Sequence, residues 1–556
     1  MPHDCLYPAM TTTPGTDTLP SPGKPDLPPP PVERPRTWAT LRHKQFKALW
    51  ASGGIYFIGN AMQTMAASWM MVQISGSSFL AALVQTAVFL PMFLLSLPAG
   101  VWADITDRRA LILGALTVQT VAGVILTLLM LFHVGGPGTL LFMIFLCGSC
   151  TALLSPAWNS TVSDSVPREE LPQAITVISI AYNAARAVGP ALAGLVFALV
   201  GGAWNFALAV ASTVMMILAV RKHPPKPHPP SRLPPERLWG GMVSAVRFAR
   251  HSQTVLAQLI RTVAFSAAGC ALWALLPAIG KQQLELQASG FGLLMGCLGG
   301  GAVVVGLFIA RLRVRFGVER LVQIACVAYA LMMLVAAHSR WDWPVYPALV
   351  VAGAAWMAAM STFNTATQTS VPPWVRARAV AMHTLSALGS FALGSAIWGA
   401  LADLVGLSSA LTVAAVAMLA GLALAKNFPL RMGEAQEVTQ ANAWQELFIT
   451  HEPAPEKGPI AVENIYRIQE SDAKAFLETI TLLRPIRRRD GATLWRVYSD
   501  LADPTRFVER FIVTSWADYL HQRSRLTLAD QELEAQVREF QAEGVPVLMQ
   551  HFLAES

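Results

Sequence analysis

Residues 155–167 of this 556-residue chain read SPAWNSTVSDSVP, and residues 360–372 read MSTFNTATQTSVP. The second stretch repeats the first at an offset of 205 residues, so that Asn159 falls on Asn364. The same offset pairs further residues: Ser165 with Ser370, Val166-Pro167 with Val371-Pro372, Gly189 with Gly394, and Gly194 with Gly399. An internal repeat of this length is typical of transporters, in which two related bundles rock about a central site.

Composition indicates that most of the chain lies in a membrane. Apolar residues make up 54% of the chain and charged residues 13%, against about 25% charged in an ordinary soluble protein. Apolar stretches of about 20 residues can cross a bilayer as helices. Six precede a polar interruption and six follow it, which predicts an all-α polytopic membrane protein with twelve transmembrane helices in two six-helix pseudo-repeats. The stretches are 46–74, 79–102, 110–133, 138–160, 172–200, 203–220, 256–280, 290–310, 319–338, 343–368, 377–404 and 408–427.

The distribution of lysine and arginine predicts the orientation. Cytoplasmic loops carry an excess of these residues. If the N-terminus is cytoplasmic, the loops on the other side hold only Lys281 and Arg340. The inside loops then hold sixteen cations: Arg108, Arg109, Arg168, Arg221, Lys222, Lys226, Arg232, Arg237, Arg247, Arg250, Arg311, Arg313, Arg315, Arg320, Arg376 and Arg378. We therefore expect a multi-pass protein of the cell inner membrane with both termini cytoplasmic.

Polar segments divide the chain into predicted domains. The N-terminal segment is rich in Pro, Ser and Thr and has no apolar core of a signal peptide, which favours a disordered tail. Within the central interruption, residues 238–250 fit either a helix on the membrane surface or a solvated linker. The predicted division is a disordered cytoplasmic tail 1–40, an N-terminal bundle 41–220, an inter-bundle linker 221–255, a C-terminal bundle 256–430, a linker 431–457 and a soluble domain 458–556.

Residues 458–556 differ in character from the rest, with dense charges and alternating apolar residues. Strands are predicted at 459–468, 493–500, 506–514 and 545–553, and helical material at 471–488 and 515–541. The order βαββαβ is that of a ferredoxin-like unit. Its aromatic residues form either a core or a small pocket: Trp495, Phe511, Trp516 and Tyr519, with His521 nearby.

A short motif lies between the second and third apolar stretches, Gly100-Val-Trp-Ala-Asp104-Ile-Thr-Asp107-Arg108-Arg109. A carboxylate at a membrane boundary is costly unless a cation or a helix N-terminus pairs with it, and glycine lets two helices approach. The motif resembles the loop 2–3 signature of the major facilitator superfamily, G-x-x-x-D-R-x-G-R-R, which implies a gating role. It departs from that signature at Ile105 and Asp107, as in the branch that holds the enterobactin exporter and the transmembrane secretion effectors.

Two further stretches carry the same resemblance. Gly189-Pro190 with Gly194 resembles the fifth-helix motif of drug and solute antiporters, in which proline kinks the helix and glycine permits close packing. TSVPPWVRARAVA, beginning at residue 369, resembles the same branch. The resemblance covers residues 40–430. The C-terminal domain resembles the dimeric α+β barrel family that includes antibiotic-biosynthesis monooxygenases, which implies self-association.

Polar residues inside the apolar stretches are candidates for substrate binding. Arg186 lies well inside a span, where it would either hold an anionic substrate in a central cavity or form a structural ion pair. The other candidates line the cavity or bond between helices: Asn60, Gln63, Asn159, Tyr182, Asn183 and Asn364. Trp69, Trp158, Trp273 and Trp356 would either stack on an aromatic substrate or belong to interfacial belts.

Candidates for carrying a coupling proton are Asp104, Asp164, His383 and Asp403. Asp104 fits a gate better than a proton carrier, and a packed polar role is the alternative for His383. Cys147 and Cys150 have CxxC spacing but lie in an apolar stretch, where thiols behave as small hydrophobes. We expect no catalytic residue, no metal, no cofactor and no nucleic-acid partner.

The sequence thus predicts a transporter that works by alternating access. The resemblance implies a proton-driven exporter of a siderophore, a drug-like molecule or another amphipathic small molecule. The alternative is a membrane-anchored enzyme or a ligand sensor acting through the C-terminal domain.

Overall fold

The computed structural model describes residues 37–167, 170–223, 246–441 and 452–555. Within these residues, twelve long helices follow a short 3-10 helix, Thr37–Arg42. The first six are α1 (Lys44–Ser75), α2 (Ser78–Ile105), α3 (Arg108–Leu131), α4 (Pro137–Ser163), α5 (Leu171–Val200) and α6 (Ala203–Lys222). The second six are α7 (Gln253–Ala278), α8 (Ala288–Phe316), α9 (Val318–His338), α10 (Val345–Thr369), α11 (Pro373–Val405) and α12 (Leu407–Ala420). A π-helical turn, Ile279–Gln283, extends α7, and a 3-10 helix, Gly421–Lys426, extends α12.

Eleven helices among the described residues are long and apolar enough to cross a membrane, which makes the chain a multi-pass membrane protein. α1 is 32 residues long but is not among the eleven. Polar side chains such as Asn60, Gln63 and Thr64 lower its mean hydropathy. α1 nevertheless packs inside the first group, against α5 and α6. The predicted all-α membrane fold is confirmed, and the count of twelve spans stays a prediction.

Small and polar residues set the helix ends at the turns. Gly76 ends α1 with φ +64, a left-handed conformation that glycine adopts without steric cost. Ser77 then caps α2 by accepting a hydrogen bond from Leu80 N at 3.2 Å. Asp107 caps α3 and accepts from Arg109 N at 3.0 Å. The predicted gating motif therefore forms the turn between α2 and α3.

The two groups of six helices form two halves related by the internal repeat. We call the end of the bundle near residues 246–251 the linker end, and the opposite end the far end. α5 of the first half packs along α8 of the second, and α11 packs along α2. Because α5 and α11 are equivalent at the 205-residue offset, as are α2 and α8, the two contacts are repeat-related versions of one packing.

Glycines allow the backbones of the two halves to meet. A Cβ atom on Gly194 would lie 2.8 Å from the carbonyl oxygen of Ala288 and 2.9 Å from Cα of Gly292. On Gly399, the residue equivalent to Gly194, it would lie 2.5 Å from Cβ of Ala82. Gly189 packs on α1 instead, where a Cβ would lie 2.7 Å from Cβ of Ala61. Pro190 lies inside α5 between the two glycines.

Substituting Gly194 by Ala should push α5 away from α8, because the new methyl group meets backbone atoms that cannot rotate away. Overpacking of this kind costs about 1–3 kcal/mol. We expect a lower thermal stability of the detergent-purified protein, measured by loss of the monodisperse peak after heating. Gly300→Ala is the matched control, since a Cβ there meets nothing within 4 Å. Equal stability of the two variants would show that the contact is loose.

The C-terminal residues form a separate α+β unit, which we call the C-terminal unit. Its strands are β1 (Ile460–Arg467), β2 (Leu494–Ser499), β3 (Arg506–Val513) and β4 (Leu548–Leu553), and its sheet is antiparallel in the order β2-β3-β1-β4. The helices, after a short α13 (Ala435–Val438) in the linker, are α14 (Ala473–Thr481), α15 (Leu483–Asp490), α16 (Trp516–Ser524) and α17 (Leu528–Glu539).

The predicted order of strands and helices is observed, but each predicted helical segment is divided in two. The break between α14 and α15 falls at Leu482. α17 begins at a capping box, in which Thr527 and Asp530 bond each other's backbone N–H groups. Such a cap starts a new helix, so the sequence did contain the signal for the second break.

A buried ion pair lies inside the C-terminal unit. Arg487 Nε donates to Glu509 Oε1 at 3.0 Å, and its Nη1 donates to Glu534 at 2.6 Å. Trp495 and Asn464 also donate to Glu509. Burial raises the pKa of Glu509, but the positive charge of Arg487 and these hydrogen bonds outweigh it and hold the pKa below its usual value.

Glu509→Gln should destabilise the C-terminal unit by roughly 3–5 kcal/mol, because it leaves the Arg487 charge buried with one partner fewer. Hydrogen exchange of β1 and β3 in the full-length chain should be much faster in the variant. The control is Glu463→Gln, which breaks the exposed pair with Arg510 at 3.4 Å and should cost less than about 1 kcal/mol.

The effect should also depend on pH. A carboxyl group whose folded pKa is lowered adds stability that is present above its unfolded pKa and is lost as the pH falls through the folded value. Acidification should therefore reduce the difference between wild type and Glu509→Gln. A difference that grows as the pH falls would contradict this assignment.

The C-terminal unit contacts the linker end of the second half. The guanidinium of Arg525 lies 4.3 Å from the ring centroid of Trp374 in α11, and that of Arg489 lies 5.7 Å from the ring of Phe248. Gly433 N in the linker donates to Ser370 Oγ at 2.9 Å.

Residues 246–251 are helical, and Phe248 and Ala249 are buried against Val255, Val371 and Val375. Residues 238–245 of the predicted surface helix, and the predicted disordered tail up to residue 36, lie outside the described residues.

Candidate functional site

A cavity of about 630 Å³ lies between the two halves. This volume is typical of sites for drug-sized ligands. Side chains from α1, α2, α4 and α5 of the first half line it, together with side chains from α7, α8, α10 and α11 of the second. Its place at the interface of the two repeats is where transporters with internal repeats bind their substrates.

The first half gives the cavity its polar wall. This wall contains the polar side chains of Asn60, Gln63, Gln85, Asn159, Tyr182, Asn183 and Arg186. Asn183 Nδ2 donates to the carbonyl of Ser179 at 2.8 Å, so its oxygen remains for a ligand to bond. Six of the seven predicted binding residues therefore lie together.

The second half gives an aromatic and methionine wall. Its members are Trp273, Phe291, Met295, Trp356, Met360 and Phe391. Trp356 packs edge-on against Trp273, with ring centroids 6.1 Å apart, and against Phe391 at 5.8 Å. Aromatic and methionine side chains adapt to flat apolar ligands of varied shape. The cavity is therefore amphipathic, with one chemical character from each half.

Arg186 is the only charged side chain in the described lining of the cavity. Its guanidinium lies 5.2 Å from the ring centroid of Trp273, a cation–π contact that joins α5 to α7 across the two halves. No carboxylate among the described residues lies within ion-pair distance of it. Arg186 is thus placed to attract an anionic group while Trp273 offers a surface for an aromatic ring.

Two residues considered with this group, Asn364 and Trp69, have other surroundings. Asn364, at the position equivalent to Asn159, is outside the lining and accepts a hydrogen bond from Gln368 at 3.0 Å. Trp69 is fully buried and stacks on Phe291 with centroids 5.0 Å apart. Trp158 lines the cavity from α4.

Sequence reasoning did not identify Gln85, Met295, Met360 or Phe391. The only signal for Gln85 is a polar side chain within the mainly apolar α2. The other three resemble ordinary apolar residues of a membrane helix, so no signal marked them.

The predicted gating residues lie at the linker end. Arg108 Nη1 pairs with Asp164 Oδ2 at 3.0 Å, which ties the start of α3 to the end of α4. Arg109 donates to the carbonyl of Arg221 at 3.2 Å, at the end of α6. A Cβ on Gly100 would meet nothing within 4 Å, and the side chain of Asp104 lies outside what the structure describes.

The remaining two proton-coupling candidates differ in their partners. His383 is buried in α11, with Nδ1 3.2 Å from the hydroxyl of Thr262. Asp403, near the far end of α11, accepts hydrogen bonds from Ser77 Oγ at 2.7 Å, Ser78 N at 2.9 Å and Phe79 N at 3.2 Å. It therefore joins the second half to the N-terminus of α2, where the helix dipole favours a negative charge.

A further hydrogen bond joins the two halves at the far end, from Gln282 Nε2 to the carbonyl of Gly76 at 2.9 Å. Closer to the middle of the bundle, Thr86 donates to the carbonyl of Ala392 at 2.8 Å. In the described parts of the chain, hydrogen bonds join the two halves at the far end and midway along the bundle. These hydrogen bonds hold the two halves together at the far end in this conformation.

Cys147 and Cys150 are free and buried in α4, and no cluster of metal-binding side chains occurs among the described residues. Two repeat-related helical halves with an amphipathic cavity between them define a polytopic membrane transporter for small molecules. Comparison with known proteins agrees: a family model described as transmembrane secretion effector matches residues 35–556. The chain belongs to this family of major facilitator transporters.

Individual relatives share about a quarter of their residues with this chain. The multidrug efflux pump Tap of Mycobacterium tuberculosis is 26% identical over 63% of this chain and 85% of the pump. The enterobactin exporter EntS of Salmonella choleraesuis is 26% identical over 69% of this chain and 90% of the exporter. Among solved structures, the nucleoside transporter NupG has the same fold, with a TM-score of 0.56 and 14% identity over 70% of this chain and all of NupG (100%).

Proposed function

We propose that this protein exports small amphipathic molecules, with a preference for aromatic cargo that carries a negative charge. The observation that carries the proposal is the composition of the cavity, in which a polar wall with Arg186 faces the aromatic side chains of Trp273 and Trp356. Such a surface binds a cargo with one apolar, flat side and one polar or anionic side. Siderophores and drug-like molecules fit this description, and the two relatives are a multidrug efflux pump and an enterobactin exporter.

The linker end faces the cytoplasm in this proposal. Arg108, Arg109 and Arg221 lie at the linker end, whereas Lys281 and Arg340 lie at the far end. Excess positive charge on one side sets the orientation of a membrane protein. With the far end held by these hydrogen bonds, we infer a state open toward the cytoplasm, and alternating access then requires the far-end contacts to break.

Asp403 is the coupling group in this proposal. As a carboxylate it accepts the three hydrogen bonds that hold the N-terminus of α2. A proton arriving from outside removes the negative charge and weakens these bonds, which favours opening of the far end. Asp164, His383 and Asp104 remain candidates for carrying the proton onward.

Transport into inverted membrane vesicles with an acidic lumen tests this function. The lumen corresponds to the outside of the cell, so we expect uptake of anionic aromatic siderophores and dyes that collapses when the gradient is dissipated. Asp403→Asn should lose most of its gradient dependence, because the amide carries no charge that a proton can remove. No gradient-dependent uptake of any compound by wild type would refute the proposal of proton-driven export.

The matched control is Asp342→Asn, which makes the same change at an exposed position near the far end. Uptake by this variant should follow the gradient as in wild type. Equal losses in both variants would remove Asp403 from the mechanism.

Arg186→Gln should raise the apparent KM for anionic cargo about tenfold and leave neutral cargo nearly unchanged. A charge-assisted contact is worth about 1.5–3 kcal/mol, and tenfold corresponds to about 1.4 kcal/mol. Competition between an anionic dye and a neutral dye in the same vesicles measures the difference. Arg340→Gln, an exposed arginine at the far end, controls for the loss of one charge. An equal rise of the apparent KM for both dyes would instead indicate a structural role for Arg186.

The domain division stays as predicted in this proposal: 1–40, 41–220, 221–255, 256–430, 431–457 and 458–556. The sheet order β2-β3-β1-β4 supports a ferredoxin-like fold for the C-terminal unit, which is expected to self-associate. Membership in a transporter family favours transport over the alternative of a membrane-anchored enzyme or a sensor.

A further inference from the structure

The C-terminal unit contains a cavity of its own, with a volume of about 350 Å³. It lies between the sheet and the helices of the C-terminal unit, and its lining residues are distinct from those of the membrane cavity. Among its lining residues are Asn464 on β1, Arg487 on α15, Tyr519 and Gln522 on α16, and Arg538 on α17. The volume is at the lower end of the range for small-molecule sites.

Two amide oxygens in this cavity receive no hydrogen bond from the described residues. They are Oδ1 of Asn464 and Oε1 of Gln522, and each side chain is only 3% exposed. The amide nitrogens are held in place, since Asn464 Nδ2 donates to Glu509 at 2.8 Å and Gln522 Nε2 to the carbonyl of Arg487 at 3.5 Å. A buried acceptor without a donor is costly, so the pair indicates a ligand that supplies two hydrogen-bond donors.

Aromatic side chains supply the apolar part of the cavity. Tyr466, Phe511 and Tyr519 line it, with Val547 and Met549 beside them. Tyr519 is held by a hydrogen bond between its hydroxyl and Nε2 of His551 at 2.6 Å. Trp495 and Trp516 belong to the hydrophobic core, and His521 is exposed. These surroundings fit a planar ring better than a sugar or a peptide.

The charges in and around the cavity favour an anion. Three guanidinium groups lie there, those of Arg487, Arg523 and Arg538. Two carboxylates accompany them: Glu534, which bonds Arg487 at 2.6 Å and lies 3.6 Å from Arg538, and Glu509. The sum is one positive charge.

We propose that this cavity binds a small hydroxylated aromatic anion. The hydroxyl groups donate to Asn464 and Gln522, the ring contacts the tyrosines, and the acid group neutralises the excess positive charge. The site is independent of the cavity between the two halves, so it stands even if the proposed export function fails.

Binding of 3,4-dihydroxybenzoate to the full-length protein in lipid nanodiscs, measured by equilibrium dialysis, tests the proposal. We expect one saturable site per chain in the Arg186→Gln variant, whose membrane cavity has lost its anion-binding side chain. The matched probe 3,4-dimethoxybenzoate keeps the ring and the acid but has no hydroxyl donors, so it should bind at least tenfold more weakly. Equal affinity for the two probes, or no saturable binding of the first, would overturn the proposal.

Variants locate the binding. Ala535→Leu places a larger side chain in the lining and should abolish binding, whereas Ala475→Leu, the same change on an exposed position of α14, should not. Gln522→Met should lower the affinity for the dihydroxy probe at least tenfold and leave the affinity for the dimethoxy probe unchanged. Arg186→Gln should keep the site in the C-terminal unit, and loss of all saturable binding in this variant would place the probe in the membrane cavity and refute the site.

Discussion

Close backbone contact between the two halves is the constraint on which the rest of the structure depends. Lipid tails are as apolar as leucine side chains, so the hydrophobic effect does not drive one helix onto another inside a bilayer. Attraction comes from van der Waals contact and hydrogen bonds, and both need short distances. Gly194 against Gly292, and Gly399 against Ala82, provide these distances at repeat-related positions. Because the helices touch along these lines, the space left between them becomes a cavity with fixed walls.

The chemical division of that cavity follows from which half supplies which wall. Polar side chains in the first half cost free energy in hydrocarbon unless they face water or one another. Facing an internal cavity satisfies this requirement, while the wall opposite is mainly aromatic and apolar. One duplicated scaffold has thus acquired two different faces, and a cargo that contacts both faces responds to the relative movement of the halves.

Much of this fold could be predicted from the sequence, for reasons that individual residues show. The repeat at Asn159 and Asn364 indicated the two halves, and apolar length indicated the eleven helices that are long and apolar enough to cross a membrane. Both asparagines were candidates for lining the cavity or bonding between helices, yet only Asn159 lines the cavity. An offset preserves the path of the backbone, but the neighbours of a side chain depend on residues that have since diverged.

Contacts between residues that are far apart in the chain could not be predicted from the sequence. Arg186 was predicted to face the cavity or an ion pair, and its actual neighbour Trp273 comes from the other half, 87 residues away. The hydrogen bonds from the N-terminus of α2 to Asp403 join residues that are even farther apart in the chain. In the C-terminal unit, alternation of apolar and polar residues predicted the order of strands and helices along the chain. The amide oxygens of Asn464 and Gln522 lack donors because hydrogen bonds to Glu509 and to the carbonyl of Arg487 fix the orientation of each amide, and the sequence does not show these bonds.

The contact between Arg525 and Trp374 has a consequence for energetics. It attaches a folded extramembrane mass to α11, the same helix that carries Asp403 at its opposite end. Any difference in that contact between two conformations of the bundle enters the equilibrium between them as a coupling free energy. Such coupling is reciprocal. A ligand bound to the C-terminal unit shifts the conformational equilibrium of the bundle, and the conformation of the bundle changes the affinity of the C-terminal unit for that ligand by the same factor.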